Sequence, residues 1–151
     1  MVNIITYSDD TKHYIRDLNY EWLQKYFCIE PNDELQLNNP DKEIINKGSL
    51  KFYVTYKNII AGTATLIPEK PGVFELGKMA VTQSMQGKGL ASALLKFCID
   101  KAMSLNASKM ILYSNTKLTP AISLYRKFGF YEVKLEKSSY LRCNIKMEKM
   151  L

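Results

Sequence analysis

The pattern of apolar and polar positions along the chain predicts an alternation of strands and helices. Runs rich in β-branched and aromatic residues predict strands at Val2 to Tyr7, Leu50 to Tyr56, Ile59 to Ile67 and Val73 to Val81. The second and third runs are joined around Lys57 and Asn58. So short a connection favours a β-hairpin.

Apolar residues at helical spacing predict three helices. The first has Ser8 or Asp9 as its expected N-cap and an apolar face of Ile15, Leu18, Trp22, Leu23 and Tyr26. The face of the second carries Leu90, Leu94, Leu95, Cys98, Ile99, Ala102, Met103 and Leu105. The third has Thr119 as its expected N-cap, Pro120 as its first residue and Gly129 as its stop, with Ala121, Leu124, Tyr125 and Phe128 on one face.

The remaining segments complete one predicted domain over residues 1–151. Lys109 to Ser114 stands where a strand–helix–strand crossover needs its parallel partner, and Phe130 to Lys134 and Tyr140 to Met147 add further strands. Segment 28–49, with its prolines and asparagines, predicts short helical turns and loop of the kind that often lines a site. We expect an α/β fold with a mixed, mostly antiparallel sheet flanked by helices.

Composition excludes several classes of protein. The chain has 151 residues, 46% of them apolar, which suits a single domain with a sizeable core. No apolar run approaches a membrane span, and the start MVNIITYSDD lacks the pattern of a secretory leader. Cys28, Cys98 and Cys143 have spacings that suit neither a zinc site nor a disulfide framework. We expect a soluble, cytoplasmic protein without a metal site, with Cys98 in its core.

Charge is unevenly distributed along the chain. Residues 8–44 contain nine acidic and four basic side chains, a net charge of −5, whereas the remainder carries +11. Both regions can be solvated surface. Alternatively, the basic part meets a phosphorylated ligand, and Glu30, Asp33 and Glu34 in the acidic part guide a cationic substrate. Nucleic acid is a less favoured partner, because no basic run interleaved with aromatic residues supports it.

The stretch QGKGLASALL, residues 86–95, is the most informative chemical pattern. A glycine-rich turn running into a helix presents free backbone N–H groups and the positive helix end to an anion. Gly87 and Gly89 lack the Cβ atom that would keep a phosphate from the backbone, and Lys88 adds positive charge. We infer a site for a diphosphate group, with a simple tight turn as the alternative.

Two nucleotide-binding patterns do not fit this turn. Ser92 stands where the Rossmann pattern needs its third glycine, and Gly89 follows Lys88 where a P-loop needs Ser or Thr. The spacing of Gln86, Gly89 and Ala91 instead resembles the pyrophosphate motif Gln/Arg-x-x-Gly-x-Gly/Ala of the GNAT family of N-acetyltransferases. The stretch NTKLTPAISLYRKFGF, residues 115–130, resembles the same family's Asn, Ala and Leu-Tyr-x-Lys-x-Gly-Phe pattern, and the strand ELGKMAV, residues 75–81, precedes both.

The resemblance implies a sheet splayed at the site of acetyl-coenzyme A (acetyl-CoA). The pantetheine arm is expected along Met79, Ala80 and Val81, and the pyrophosphate at the motif residues Gln86, Gly87, Lys88, Gly89, Leu90, Ala91 and Ser92. Asn115 is expected to hydrogen-bond the pantetheine amides or, alternatively, to shape a turn. Lys127 is expected to meet the outer phosphates or, alternatively, to share an exposed helix face with Arg126.

The resemblance also places two residues at the chemistry. Glu75 matches the position of a catalytic glutamate in several family members, and a carboxylate there can take a proton from an amine directly or through water. Pairing with Lys78 or another surface lysine is the alternative. Tyr125 matches the family's tyrosine, whose hydroxyl can protonate a departing thiolate. Packing between helix and sheet is its alternative.

We therefore expect transfer of an acetyl group from acetyl-CoA to a primary amine, by direct attack in a ternary complex. No cysteine lies in the motifs to act as a nucleophile. The main alternative is a non-catalytic acyl-CoA-binding sensor or regulatory module of the same fold. The sequence does not identify the amine, excludes no homodimer and indicates no membrane partner.

Overall fold

A computed structural model describes residues 1–43, 48–136 and 140–151, and the strands in these ranges form a seven-stranded sheet. The strands are β1 (Val2–Thr6), β2 (Leu50–Tyr56), β3 (Ile59–Lys70), β4 (Val73–Val81), β5 (Lys109–Ser114), β6 (Tyr131–Val133) and β7 (Ile145–Met150). The helices are α1 (His13–Tyr26), α2 (Pro31–Asn38), α3 (Pro40–Glu43), α4 (Leu90–Ser104) and α5 (Thr119–Lys127). None of the described helices is long and apolar enough to cross a membrane.

The sheet is mixed, as predicted. Its strand order is β1-β2-β3-β4-β5-β7-β6, and the pairing of β4 with β5 is parallel while the other pairings are antiparallel. Helix α4 makes the crossover between the two parallel strands. The β2–β3 hairpin turns at Lys57 and Asn58, whose φ angles of 50° and 65° suit a two-residue turn.

Apolar clusters lie on the two faces of the sheet. On one face, Leu94 and Cys98 of α4 pack with Phe52 of β2 in the larger cluster. On the other, Tyr53 packs with Ile15 and with other apolar residues of α1 and α2. Strand β2 serves both faces because successive strand residues point in opposite directions. The predicted place of Cys98 in the core is confirmed.

Several predicted boundaries are wrong by a few residues. Helix α1 begins at His13 after a 3₁₀ turn at Asp9–Thr11, because Ser8 bonds with Thr11 instead of capping the helix. Helix α5 begins one residue earlier than predicted. The N-cap is Leu118 and not Thr119, because the N–H of Ile122 already donates to the carbonyl of Leu118 at 3.0 Å. Two residues predicted on the apolar face of α4 are exposed. Met103 lies at the edge of that face, and Leu105 lies past the end of the helix.

The chain before β7 differs most from the prediction. Segment 28–49 forms the short helices α2 and α3, in keeping with the predicted helical turns, and its residues 44–47 lie outside the described part of the chain. The last strand begins at Ile145 and not at Tyr140. The reason is that Arg142 leaves the sheet to form ion pairs with the start of α2.

Candidate active site

A cleft of about 940 Å³ opens where β4 and β5 separate. The ladder between these strands ends at the pair Leu76 and Leu112, whereas β4 continues to Val81. Residues 77–81 of β4 line the cleft, together with parts of α1, α2, α5, the end of β5 and the start of α4. The divergence is the splay that the family resemblance implied.

A β-bulge interrupts β4 inside the cleft. Thr63 pairs with Ala80 and Thr65 with Gly77, so Lys78 and Met79 together lie opposite Ala64 alone. Lys78 has a φ of 49°, a left-handed conformation that is uncommon outside glycine. A bulge re-aims the groups beside it, and nothing in ELGKMAV indicated one.

The glycine turn, residues 86–92, lies along the same cleft. Gly87 and Gly89 have φ angles of 83° and 76°, and a Cβ at either would meet no described atom within 4 Å. Within the described residues, no side chain caps the N–H groups that begin α4. Except for Lys88, all residues of the turn line the cleft. The geometry is that of an anion site at a helix N-terminus.

Three residues predicted to bind the cofactor do not present a free side chain to the cleft. Lys88 and Lys127 are exposed and lie outside the lining of the described cleft, with Lys88 Nζ 5.2 Å from the centroid of the Tyr56 ring. Asn115 lines the cleft, but its side chain accepts the N–H of Lys117 at 2.8 Å and donates to the carbonyl of Arg142 at 2.5 Å. Asn115 thus shapes a turn, and the cofactor contacts of all three stay predictions.

Glu75 lies in the cleft on β4, partly buried. Its pKa is raised to about 7, chiefly by burial and then by the charge of Glu69, while Lys78 and Lys146 oppose the rise. Among the described residues, no lysine or arginine nitrogen lies within 4.0 Å of its carboxylate. The alternative of a paired surface carboxylate is therefore not observed, and a carboxylate that titrates near neutral pH suits a general base.

Tyr125 is 9% exposed and reaches the cleft from α5. Its ring meets Phe130 edge-on, with 5.9 Å between centroids, so it does pack between helix and sheet. Its hydroxyl has no hydrogen-bond partner in the part of the chain that the structure describes. Burial raises its pKa to about 12. The hydroxyl therefore stays protonated at neutral pH and can donate a hydrogen bond.

A buried group of charges beside the bulge was missed from the sequence. In this polar cluster (Glu30, Asp33, Lys78, Tyr140 and Arg142), Arg142 donates to the two oxygens of Asp33 at 2.6 and 2.8 Å and to Glu30 at 3.3 Å. Lys78 Nζ donates to the hydroxyl of Tyr140 and lies 4.0 Å from Asp33. Burial lowers the pKa of Lys78 to about 8, although Asp33 opposes the shift.

The polar cluster changes the interpretation of the acidic segment. Asp33 is fully buried, and Glu30 also accepts the backbone N–H groups of Leu141 and Arg142. Their charges are neutralised inside the protein and hold the chain before β7 against α2. Guidance of a cationic substrate by Glu30 and Asp33 stays a prediction that their ion pairs with Arg142 do not favour, and of the three residues proposed only Glu34 is exposed.

Comparison with known proteins identifies the fold and the family. A family model described as the Acetyltransferase (GNAT) family matches residues 13–130. The chain belongs to this family. This GNAT protein is 29% identical over 132 residues to the uncharacterised N-acetyltransferase YvbK of Bacillus subtilis (strain 168), a match that covers 83% of this chain and 85% of that protein.

Solved structures of low identity share the GNAT fold. A GNAT acetyltransferase from Staphylococcus aureus Mu50 superposes with a TM-score of 0.88 at 22% identity, over 99% of both chains. The Salmonella typhimurium protein YncA, solved with acetyl-CoA, gives a TM-score of 0.76 at 16% identity over 99% of this chain and 93% of that one. The predicted family and fold are confirmed.

In this GNAT protein, Asp33→Ala should be strongly destabilising, because it leaves the guanidinium of Arg142 buried without its bidentate partner. Breaking a buried ion pair costs about 3–5 kcal/mol, and for a chain of this size we expect the melting temperature to fall by roughly 10 °C. Calorimetry tests this. The exposed neighbour Glu34→Ala is the control and should stay within about 0.5 kcal/mol of the parent. Equal melting of all three proteins would contradict a stabilising role of the cluster.

Proposed function

We propose that this protein transfers an acetyl group from acetyl-CoA to a primary amine by direct attack in a ternary complex. The proposal rests on the observation that one cleft is lined by the glycine turn, the open edge of β4, Glu75 and Tyr125. These are the parts that acetyl transfer needs, namely a diphosphate site, a surface for an extended arm, a base and a hydrogen-bond donor to the departing thiolate. Family membership supports the reaction type.

The residues present fit acetyl-CoA. The open space over Gly87 and Gly89 admits a pyrophosphate, and the N–H groups that begin α4 can donate to it. The edge of Met79, Ala80 and Val81, beyond the last pair with β5, can hydrogen-bond an extended arm as a neighbouring strand would. Acetyl-CoA supplies the thioester, and the protein supplies orientation and proton transfer.

Glu75 addresses the protonation of the amine. An amine with a lysine-like pKa of about 10.4 is mostly protonated at pH 7, and its neutral form costs roughly 4.6 kcal/mol. The amine attacks in its neutral form, and Glu75 accepts, directly or through water, the proton that the nitrogen loses as the N–C bond forms and the C–S bond breaks. The electron pair of the broken bond stays on sulfur.

Tyr125 stabilises the negative charge that develops on that sulfur. With the pKa of Tyr125 at about 12 and a thiol pKa of about 8.5, complete proton transfer from Tyr125 is uphill. The hydroxyl therefore acts by donating a hydrogen bond to the developing thiolate. Hydrogen bonds to charged groups contribute about 1.5–3 kcal/mol, which makes this a moderate effect on the rate.

A panel of amines incubated with acetyl-CoA tests the proposed function. Thiol release together with an acetylated product of the expected mass would support it, and intersecting initial-rate lines would support a ternary complex. Parallel lines would indicate an acyl-enzyme, for which Cys143 in the cleft lining is the candidate. Binding of acetyl-CoA without turnover of any amine would indicate the non-catalytic module.

Gly89→Val should weaken acetyl-CoA binding at least tenfold, because its side chain would stand where the pyrophosphate must approach. Gly72→Val is the matched control, since Gly72 has a similar φ of 79° but lies in the turn before β4. A left-handed conformation costs a non-glycine residue about 1–2 kcal/mol, so both variants should lose stability alike. Calorimetric affinity unchanged in a folded Gly89→Val protein would refute the diphosphate site.

Glu75→Gln should lower the rate at pH 7 by about 100-fold or more, because it removes the base. Since the pKa of Glu75 is about 7, kcat/KM of the parent should rise as pH increases through 7. In the variant, the part of the rise that comes from ionisation of Glu75 should disappear. Its kcat/KM should then increase with pH only because more of the amine is neutral. Glu69→Gln is the control. It removes a charge that raises the pKa of Glu75, so it should keep the rise and move it to lower pH.

Tyr125→Phe should lower kcat about 10- to 100-fold, the equivalent of one hydrogen bond to a charged group. Packing against Phe130 is retained, so the melting temperature should hardly change. Tyr113→Phe is the control, because Tyr113 also lines the cleft but lies outside the proposed chemistry. If both variants turn over at the parent rate, solvent alone stabilises the thiolate.

A further inference from the structure

The carbonyl group of Lys78, at the bulge, is held by two buried side chains from other elements. Lys51 of β2 is 3% exposed, and its Nζ donates to Thr65 Oγ1 at 2.6 Å and to the Lys78 carbonyl at 3.4 Å. Asn19 of α1 is 1% exposed, and its Nδ2 donates to the same carbonyl at 3.4 Å and to Ile15 at 2.8 Å. One peptide group is therefore tied to two neighbouring elements.

A lysine at the position of Lys51 needs an explanation. Lysine is almost never fully buried unless it is paired, because removing an ammonium from water is costly. Among the described residues, no carboxylate lies within 4.0 Å of its Nζ. Burial lowers its pKa well below the usual value, and the charge of Lys78 lowers it further. An apolar side chain would serve the core better, so stability alone does not account for Lys51.

The geometry of the peptide group indicates what Lys51 does. In a planar trans peptide the N–H points opposite to the C=O. The N–H of Met79 therefore points away from Lys51 and Asn19, and Met79 lines the cleft at the start of the edge expected to hold the pantetheine arm. The left-handed Lys78 is a strained conformation that persists only where its surroundings enforce it. Lys51 and Asn19 are such surroundings.

We propose that Lys51 is a positioning residue for acetyl transfer, which holds the peptide group between Lys78 and Met79 so that its N–H is fixed toward the bound thioester. This inference rests on the proposed function. An N–H group held in advance stabilises charge on the attacked carbonyl oxygen without reorganising during the reaction. Lys51 acts through Lys78 and touches neither substrate.

Lys51→Met tests the proposal, because methionine has a similar length and no hydrogen-bond donor. We expect kcat to fall about 10- to 100-fold, with little change in the KM for the amine and in the melting temperature. Thr63→Val is the matched control. Thr63 is 0% exposed on the same strand as Thr65, and its hydroxyl donates to the carbonyl of Phe52 and, in the described part of the chain, makes no hydrogen bond to Lys78 or Met79. It should keep the parent kcat.

A second measurement does not depend on turnover. The amide resonance of Met79, observed by ¹⁵N–¹H NMR, should shift in Lys51→Met and stay in place in Thr63→Val. If Lys51→Met does not fold, Asn19→Ala removes the other donor to the same carbonyl and should shift the same resonance. An unchanged Met79 resonance, a parent-like kcat in Lys51→Met, or an equal loss in Thr63→Val would overturn the proposal. Absence of turnover in the parent would instead refute the proposed function.

Discussion

The arrangement of the site depends on the end of the hydrogen-bonded ladder between β4 and β5. Buried backbone N–H and C=O groups need partners, and β5 stops supplying them after Leu76 while β4 continues to Val81. The edge that this divergence leaves faces the cleft, and the glycine turn follows it directly in the chain. One strand therefore carries both the surface for an extended ligand and the approach to a diphosphate site.

Buried charge has two distinct uses around this edge. In the polar cluster, the carboxylates of Glu30 and Asp33 meet Arg142, and the pairs join α2 to the chain before β7. Lys51 of β2 lies beside the bulge of β4, and no carboxylate of the described residues lies within 4.0 Å of its Nζ. It donates instead to the hydroxyl of Thr65 and the carbonyl of Lys78. The paired charges suit a role in stability. In the described part of the chain, Lys51 has no ion pair to offset the cost of burying its amine, so stability does not explain it, and a role in positioning does.

Much of the fold was predictable from the sequence because its signals are local. Periodicity located the strands and helices, the Lys57–Asn58 connection predicted the hairpin, and the crossover rule predicted the parallel partner of β4. The errors occurred where a tertiary contact overrides a local preference. The strand predicted from Tyr140 begins only at Ile145, because the carboxylates of Glu30, at the N-cap of α2, and Asp33, in α2, hold Arg142 away from the sheet.

The sequence by itself determined the family, the glycine turn and the candidate pair Glu75 and Tyr125, since these depend on residue types at short spacings. The tertiary structure alone decided which charges are free to act. Asp33 and Arg142 are far apart in the chain, and only their contact shows that the carboxylates of Glu30 and Asp33 are paired inside the protein. The bulge and its contacts with Lys51 and Asn19 also join distant segments. Burial and pairing of charge depend on neighbours in space, which no short-range pattern in a sequence reports.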